Sequence, residues 1–146
     1  RSRTRPRVVS FLGDTNVVSE VRKGERGNPA VRRWLASIDD DALFLSVLVV
    51  GEIRKGVERL RRRDTATAEV LDTWLSQITD AYAERLLPVT TQIAERWGRM
   101  NVPDPLPVVD SLLAATAHVH GLTVATRNVS DYVRTGVPTY NPFDTG

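Results

Sequence analysis

Apolar positions in this 146-residue chain follow two rhythms, short unbroken runs and longer stretches at helical spacing. Val8-Val9-Ser10-Phe11-Leu12, Leu43-Phe44-Leu45-Ser46 and Leu122-Thr123-Val124-Ala125 have the length and composition of buried strands. Arg85 to Val89 predicts a further short strand, and Val137 to Tyr140 a last edge strand. Gly13-Asp14-Thr15-Asn16 breaks the first run, and Val17 to Lys23 then predicts a first short helix. Asn28-Pro29 opens a second, with Asn28 as cap, Pro29 in the first turn and Val31, Trp34, Leu35 and Ile38 on its apolar face. Val47 to Arg62 predicts a long helix with Val49, Ile53, Val57 and Leu60 on one side. Another, Thr65 to Tyr82, carries Val70, Leu71, Trp74, Leu75 and Ile78. Thr90 or Thr91 caps a helix through Met100, with Ile93, Ala94 and Trp97 inward. Prolines between Val102 and Pro107 force a loop. Val108 to His120 predicts a helix closed by a left-handed Gly121, and Asn128 to Val133 a turn or short helix.

Apolar strands alternating with helices predict an α/β domain, a short central parallel sheet of four to five strands flanked by helices. The chain is long enough for one domain with a real core, and no repeat or long linker divides it. Residues 1–7, with Arg1, Arg3, Arg5 and Arg7, read as a basic N-terminal extension, disordered or foreign to the natural chain, and 8–146 as the domain.

Four acids stand where an apolar run ends or a helix begins: Asp14, Glu52, Asp110 and Asp131. Ligands of open parallel sheets bind at the carboxyl ends of strands. Asp14 directly follows the first strand and Asp131 comes soon after the Leu122–Ala125 strand, so both are expected on one edge. Glu52 borders the apolar face of its helix. Asp110 shares its side with the small, apolar stripe Leu113, Ala114 and Ala117. Carboxylates beside a core are costly unless a cation or hydrogen bonds compensate them. Such a set suits Mg²⁺, with Mn²⁺ as the alternative, and a phosphodiester substrate whose charge the metal offsets. Each acid also has an ordinary role. Asp14 can cap a helix, Glu52 can pair with Lys55 or Arg59, Asp110 can sit favourably in a first helical turn, and Asp131 can be loop polarity.

Composition narrows the chemistry. With no cysteine, disulfides and thiolate metal sites are excluded, and a reducing cytoplasm is the expected location. His118 and His120 are the only histidines, too few for a nitrogen-rich zinc site and placed where a helix end favours a cation. Ser46 and Ser111 have no histidine placed to activate them, and no glycine-rich phosphate loop is present. Net charge is only +2, yet Glu52 to Arg63 holds six basic residues against two acidic ones. Such a cluster suits a polyanion and equally a solvated helix end. No apolar stretch approaches membrane-spanning length, and the arginine-rich start lacks the apolar core of a secretory signal.

Gly13-Asp14-Thr15-Asn16-Val17-Val18-Ser19-Glu20 resembles the opening of PIN-domain ribonucleases. Ser46 and Gly51-Glu52-Ile53-Arg54-Lys55-Gly56 resemble their second acidic motif, and Leu106-Pro107-Val108-Val109-Asp110-Ser111-Leu112-Leu113 their third. Thr126-Arg127-Asn128-Val129-Ser130-Asp131-Tyr132, with Asn141-Pro142-Phe143, resembles the fourth and the tail. The likeness runs from Val8 to Phe143 and is nearest to VapC-type toxins of bacterial toxin–antitoxin pairs, in the FitB-like branch. It implies a Mg²⁺- or Mn²⁺-dependent endoribonuclease, a homodimer, and a cognate antitoxin (VapB-like) that wraps the toxin and carries it to operator DNA. It also implies that Asp14 and Asp110 are the main metal ligands, that Glu52 and Asp131 complete the site, and that Asn16 and Thr126 support it. Gly13 departs from the bulky apolar residue usual before the first acid, and Val49 from a frequent threonine.

Two other readings compete. One is an interaction module that acts mainly in an antitoxin-bound, operator-binding complex, with Val17, Val18 and Val21 as an exposed clamp. The other is a Mg²⁺-dependent phosphatase or receiver-like domain, against which Asn16 stands where a dehalogenase-type phosphatase wants a second acid.

Overall fold

The computed structural model describes residues 9–144, so the expectation for residues 1–7 lies outside the described residues. Five short strands form one sheet: β1 (Phe11–Gly13), β2 (Leu43–Ser46), β3 (Leu86–Leu87), β4 (Thr123–Ala125) and β5 (Thr139–Tyr140). Their order is β3-β2-β1-β4-β5 and every neighbouring pair is parallel. Parallel neighbours need crossovers, and the helices supply them. These are α1 (Thr15–Lys23), α2 (Pro29–Ser37), α3 (Val47–Arg61), α4 (Thr65–Ala81), α5 (Thr91–Met100) and α6 (Val108–His120). The turn or short helix expected after β4 is a 3₁₀ segment, Val129–Thr135.

Two apolar clusters cover the sheet. Leu12, Leu45, Val49, Leu75, Leu113, Ala114, Ala117 and Val124 form the larger, and Phe11, Val17, Val31, Trp34, Leu43 and Ala125 the smaller. The small residues of α6 keep the helix surface low where it meets β4. Side-chain caps end the elements much as the sequence predicts: Asn28 accepts from the amides of Ala30 and Val31, and Thr90 from that of Ile93. Each such cap stabilises its helix by about 1 kcal/mol.

Several expectations shift. Gly13 does not break β1 but belongs to it. A Cβ there would lie 3.1 Å from Val18 Cγ2 and 3.3 Å from Leu43 Cδ1, so those side chains fill the space a larger residue would take. Val17 and Val18 are fully buried and cannot form an exposed clamp, because α1 turns them onto the sheet. Val70 is 67% exposed and Ala94 is exposed too, since α4 and α5 use narrower apolar stripes than their sequences suggest. Much of the basic cluster is consumed locally. Arg54 and Arg61 both pair with Glu58 and with Asp72 of α4, and Arg61 also with Glu69, which pins α3 to α4.

Candidate active site

Strand β1 lies beside β4 in parallel register, Gly13 opposite Ala125, so both chains leave the sheet at the same edge. The amide of Asp14 extends that pairing by donating to Ala125 O at 2.9 Å. Asp14 then becomes the N-cap of α1, its Oδ1 accepting from the Thr15 amide at 2.8 Å. The capping role and a site role are thus compatible, because the cap takes only one lone-pair position of Oδ1. Oδ2 accepts from the Thr126 hydroxyl at 2.8 Å and from the Tyr132 hydroxyl at 3.1 Å. Thr126 is fully buried, and its oxygen also accepts the Asn128 amide.

Asp110 stands in the first turn of α6, where the helix dipole favours a negative charge. Burial raises its carboxyl above the ordinary range, and the charges of Asp14, Asp131 and Glu52 push it the same way. The nearby Tyr132 hydroxyl opposes them. The other three predicted acids, drawn from across 117 residues of sequence, therefore all bear on Asp110. They are gathered but not clenched: among the described residues no three His, Cys, Asp or Glu side chains form a ready metal cage. An all-oxygen donor set of mutually repelling carboxylates, with no histidine among it, is the chemistry a hard divalent cation takes.

The four are not equivalent. Glu52 Oε2 lies 3.2 Å from Lys55 Nζ, the local pairing that its helix position allowed. Such an exposed pair is worth roughly 0–1 kcal/mol and does not lock the side chain. Asp131 is exposed on the 3₁₀ segment. Asn16 does not touch an acid; its Oδ1 accepts from the Arg127 amide at 3.1 Å, tying α1 to the turn after β4. The side chain of Arg127 lies over the Phe143 ring, 4.0 Å from its centroid, and is exposed. Ser111 and Trp97 settle into structural roles: the Trp97 indole donates to Ser111 Oγ, which donates to Pro107 O. His118 Nε2 meets Thr135 O at 3.0 Å, which ties α6 to the 3₁₀ segment.

Sequence reasoning missed Tyr132. It is 1% exposed and packs in the larger cluster, yet its hydroxyl reaches Asp14. Burial raises its phenol well above the normal range, and the nearby charges of Asp14 and Asp110 add to this, so it is a permanent donor. An aromatic beside Asp131 reads as core; only the hydroxyl, which needs a partner when buried, distinguished it.

The PIN-domain family profile matches residues 12–134. This chain is a PIN-domain protein. Its relatives include Toxin FitB of Neisseria gonorrhoeae, 32% identical over 91% of this chain and 98% of that protein. VapC ribonuclease Y4jK of Sinorhizobium fredii is 30% identical over 90% of this chain and 96% of its own length. Among solved structures, FitAB bound to an IR36 DNA fragment superposes with a TM-score of 0.79 at 30% identity, over 93% of this chain and 97% of that one. The PIN-domain sheet and its flanking helices therefore agree with the α/β architecture expected from the apolar pattern.

Beside the acids, a groove of about 350 Å³ starts at Thr15 and Glu52 and runs between α1, α3 and α4. Its floor is apolar, with Ile53, Val57 and Trp74, and Arg22 and Arg63 also line it. Among the described residues no helix is long and apolar enough to cross a membrane.

Proposed function

We propose that this PIN-domain protein is the toxin of a toxin–antitoxin pair, a ribonuclease that hydrolyses RNA phosphodiester bonds with Mg²⁺, or Mn²⁺ in its place. The observation that carries the reading is the convergence on Asp110 of charge from Asp14, Glu52 and Asp131. Asp14 and Asp110 are the principal metal ligands in this reading, and Glu52 and Asp131 complete the site directly or through water. A bound divalent ion would supply a water of lowered pKa and offset the charge of the attacked phosphate. The chain's own residues do the rest. Thr126 holds the Asp14 carboxylate in place, and Asn16 holds the Arg127 turn beside it. Arg127, steadied on Phe143 with its guanidinium exposed, is placed to meet an RNA phosphate.

The named relatives support a cognate VapB-like antitoxin as partner, and the groove beside Glu52 gives it a place to lie. An amphipathic segment fits an apolar floor flanked by arginines better than RNA does. A homodimer, and operator DNA reached only through the antitoxin, complete this assignment. The groove also favours a second reading, in which binding within an operator complex is the main role.

Purified protein should cut an RNA panel only with Mg²⁺ or Mn²⁺, and Asp14→Asn or Asp110→Asn should abolish cutting. Cleavage that survived EDTA would overturn the metal mechanism. A complex that binds DNA while freed protein never cuts RNA would favour the binding role.

A further inference from the structure

We infer that Tyr132 is a positioning residue whose hydroxyl fixes which oxygen of Asp14 is left open to a cation. The inference rests on the metal-site reading above and concerns a residue outside the acidic quartet. A carboxylate offers about four lone-pair positions, two per oxygen. On Asp14, Oδ2 accepts two hydroxyls, from Thr126 at 2.8 Å and Tyr132 at 3.1 Å. Oδ1 accepts one amide, from Thr15 at 2.8 Å. Three of the four positions are filled, and the free one lies on Oδ1.

The three donors come from separate parts of the chain, and together they resist rotation of the carboxylate about its Cβ–Cγ bond. Thr15 N–H is held by α1, Thr126 by the end of β4, and Tyr132 by its burial among the apolar residues of the larger cluster. The single proton of the Tyr132 hydroxyl goes to Asp14. It is a neutral donor to that carboxylate and adds no cation that would compete with a metal. A phenylalanine would fill the same space and provide none of this.

The test is Tyr132→Phe, which keeps the ring and changes only the hydroxyl. Mn²⁺ binding is followed by the loss of its free-ion electron spin resonance signal, and folding by thermal melting in EDTA. We expect Mn²⁺ to bind about tenfold more weakly or worse, the usual cost of losing a partner that orients a metal ligand. RNA cleavage by the variant should then recover as Mn²⁺ is raised, because the ligands themselves remain. Unchanged Mn²⁺ affinity would overturn the inference, whether or not the melting temperature fell, since the hydroxyl would then only satisfy a buried carboxylate. If the unaltered protein bound no Mn²⁺, the metal reading itself would fall. Binding by the parent and equal binding by the variant would remove the Tyr132 assignment alone.

Discussion

Asp110→Asn should make the metal-free protein more stable while destroying its activity. Folding raises the Asp110 carboxyl, chiefly by burial and then by Asp14, Asp131 and Glu52. The folded state therefore holds this proton more tightly than the unfolded chain. Stability falls as pH climbs from the ordinary carboxylate value through the raised one, and the penalty persists at neutral pH. An amide removes it. Relief of three like-charge pairs at roughly 0.2–0.5 kcal/mol each gives about 1 kcal/mol. Loss of the favourable charge at the start of α6 returns about 0.3–1 kcal/mol. Easier burial of an amide than a carboxylate adds roughly 1 kcal/mol, for a net gain of about 1 kcal/mol. For a domain of this size that is about 2–4 °C in Tm. The assay is thermal melting in EDTA at neutral pH and low salt, repeated at rising acidity. The advantage should shrink as pH falls through the raised Asp110 value, where the parent carries the proton anyway. Added Mn²⁺ should raise the parent's Tm by mass action and the variant's much less. A variant that melts lower than the parent in EDTA at neutral pH would refute the reasoning, because Asp110 would then be a net stabilising group.

Gly13→Ala places a Cβ 3.1 Å from Val18 Cγ2, inside a packed strand–helix contact. Overpacking of this kind costs about 1–3 kcal/mol, offset by roughly 0.4–1 kcal/mol from a stiffer unfolded chain, so a lower Tm is expected in melting experiments. Arg127→Ala should weaken RNA binding similarly across sequences and reduce the slope of log affinity against log salt by about 1. An unchanged slope in filter-binding titrations would take Arg127 out of phosphate contact.

The order of elements was legible because each announces itself locally. Leu43–Ser46 is an apolar run, Asn28-Pro29 is a start signal, and Gly121 is a stop, observed at φ 67°. Exposure was less legible. Val17 and Val18 looked available for a partner, and Val70 looked buried, because periodicity names an apolar stripe without saying how much of it a neighbour covers. Gly13 looked like a break, because a glycine in sequence does not reveal whether it supplies flexibility or room.

For the site, the chain by itself supplied the candidate donors: four carboxylates, no cysteine, and too few histidines for a nitrogen site. Residue type and local position suffice for that, since ligand chemistry belongs to the side chain. Joining Asp14 to Asp110 required either the family resemblance or the fold. Only tertiary structure decided how the acids are oriented. The parallel pairing of β1 with β4 brings Asp14 to Thr126, and the 3₁₀ segment turns the Tyr132 hydroxyl back to Asp14. Hydrogen-bond direction depends on distances of a few ångströms between residues more than a hundred positions apart. No local pattern encodes it, and the open lone pair on Asp14 Oδ1 exists only once the sheet has formed.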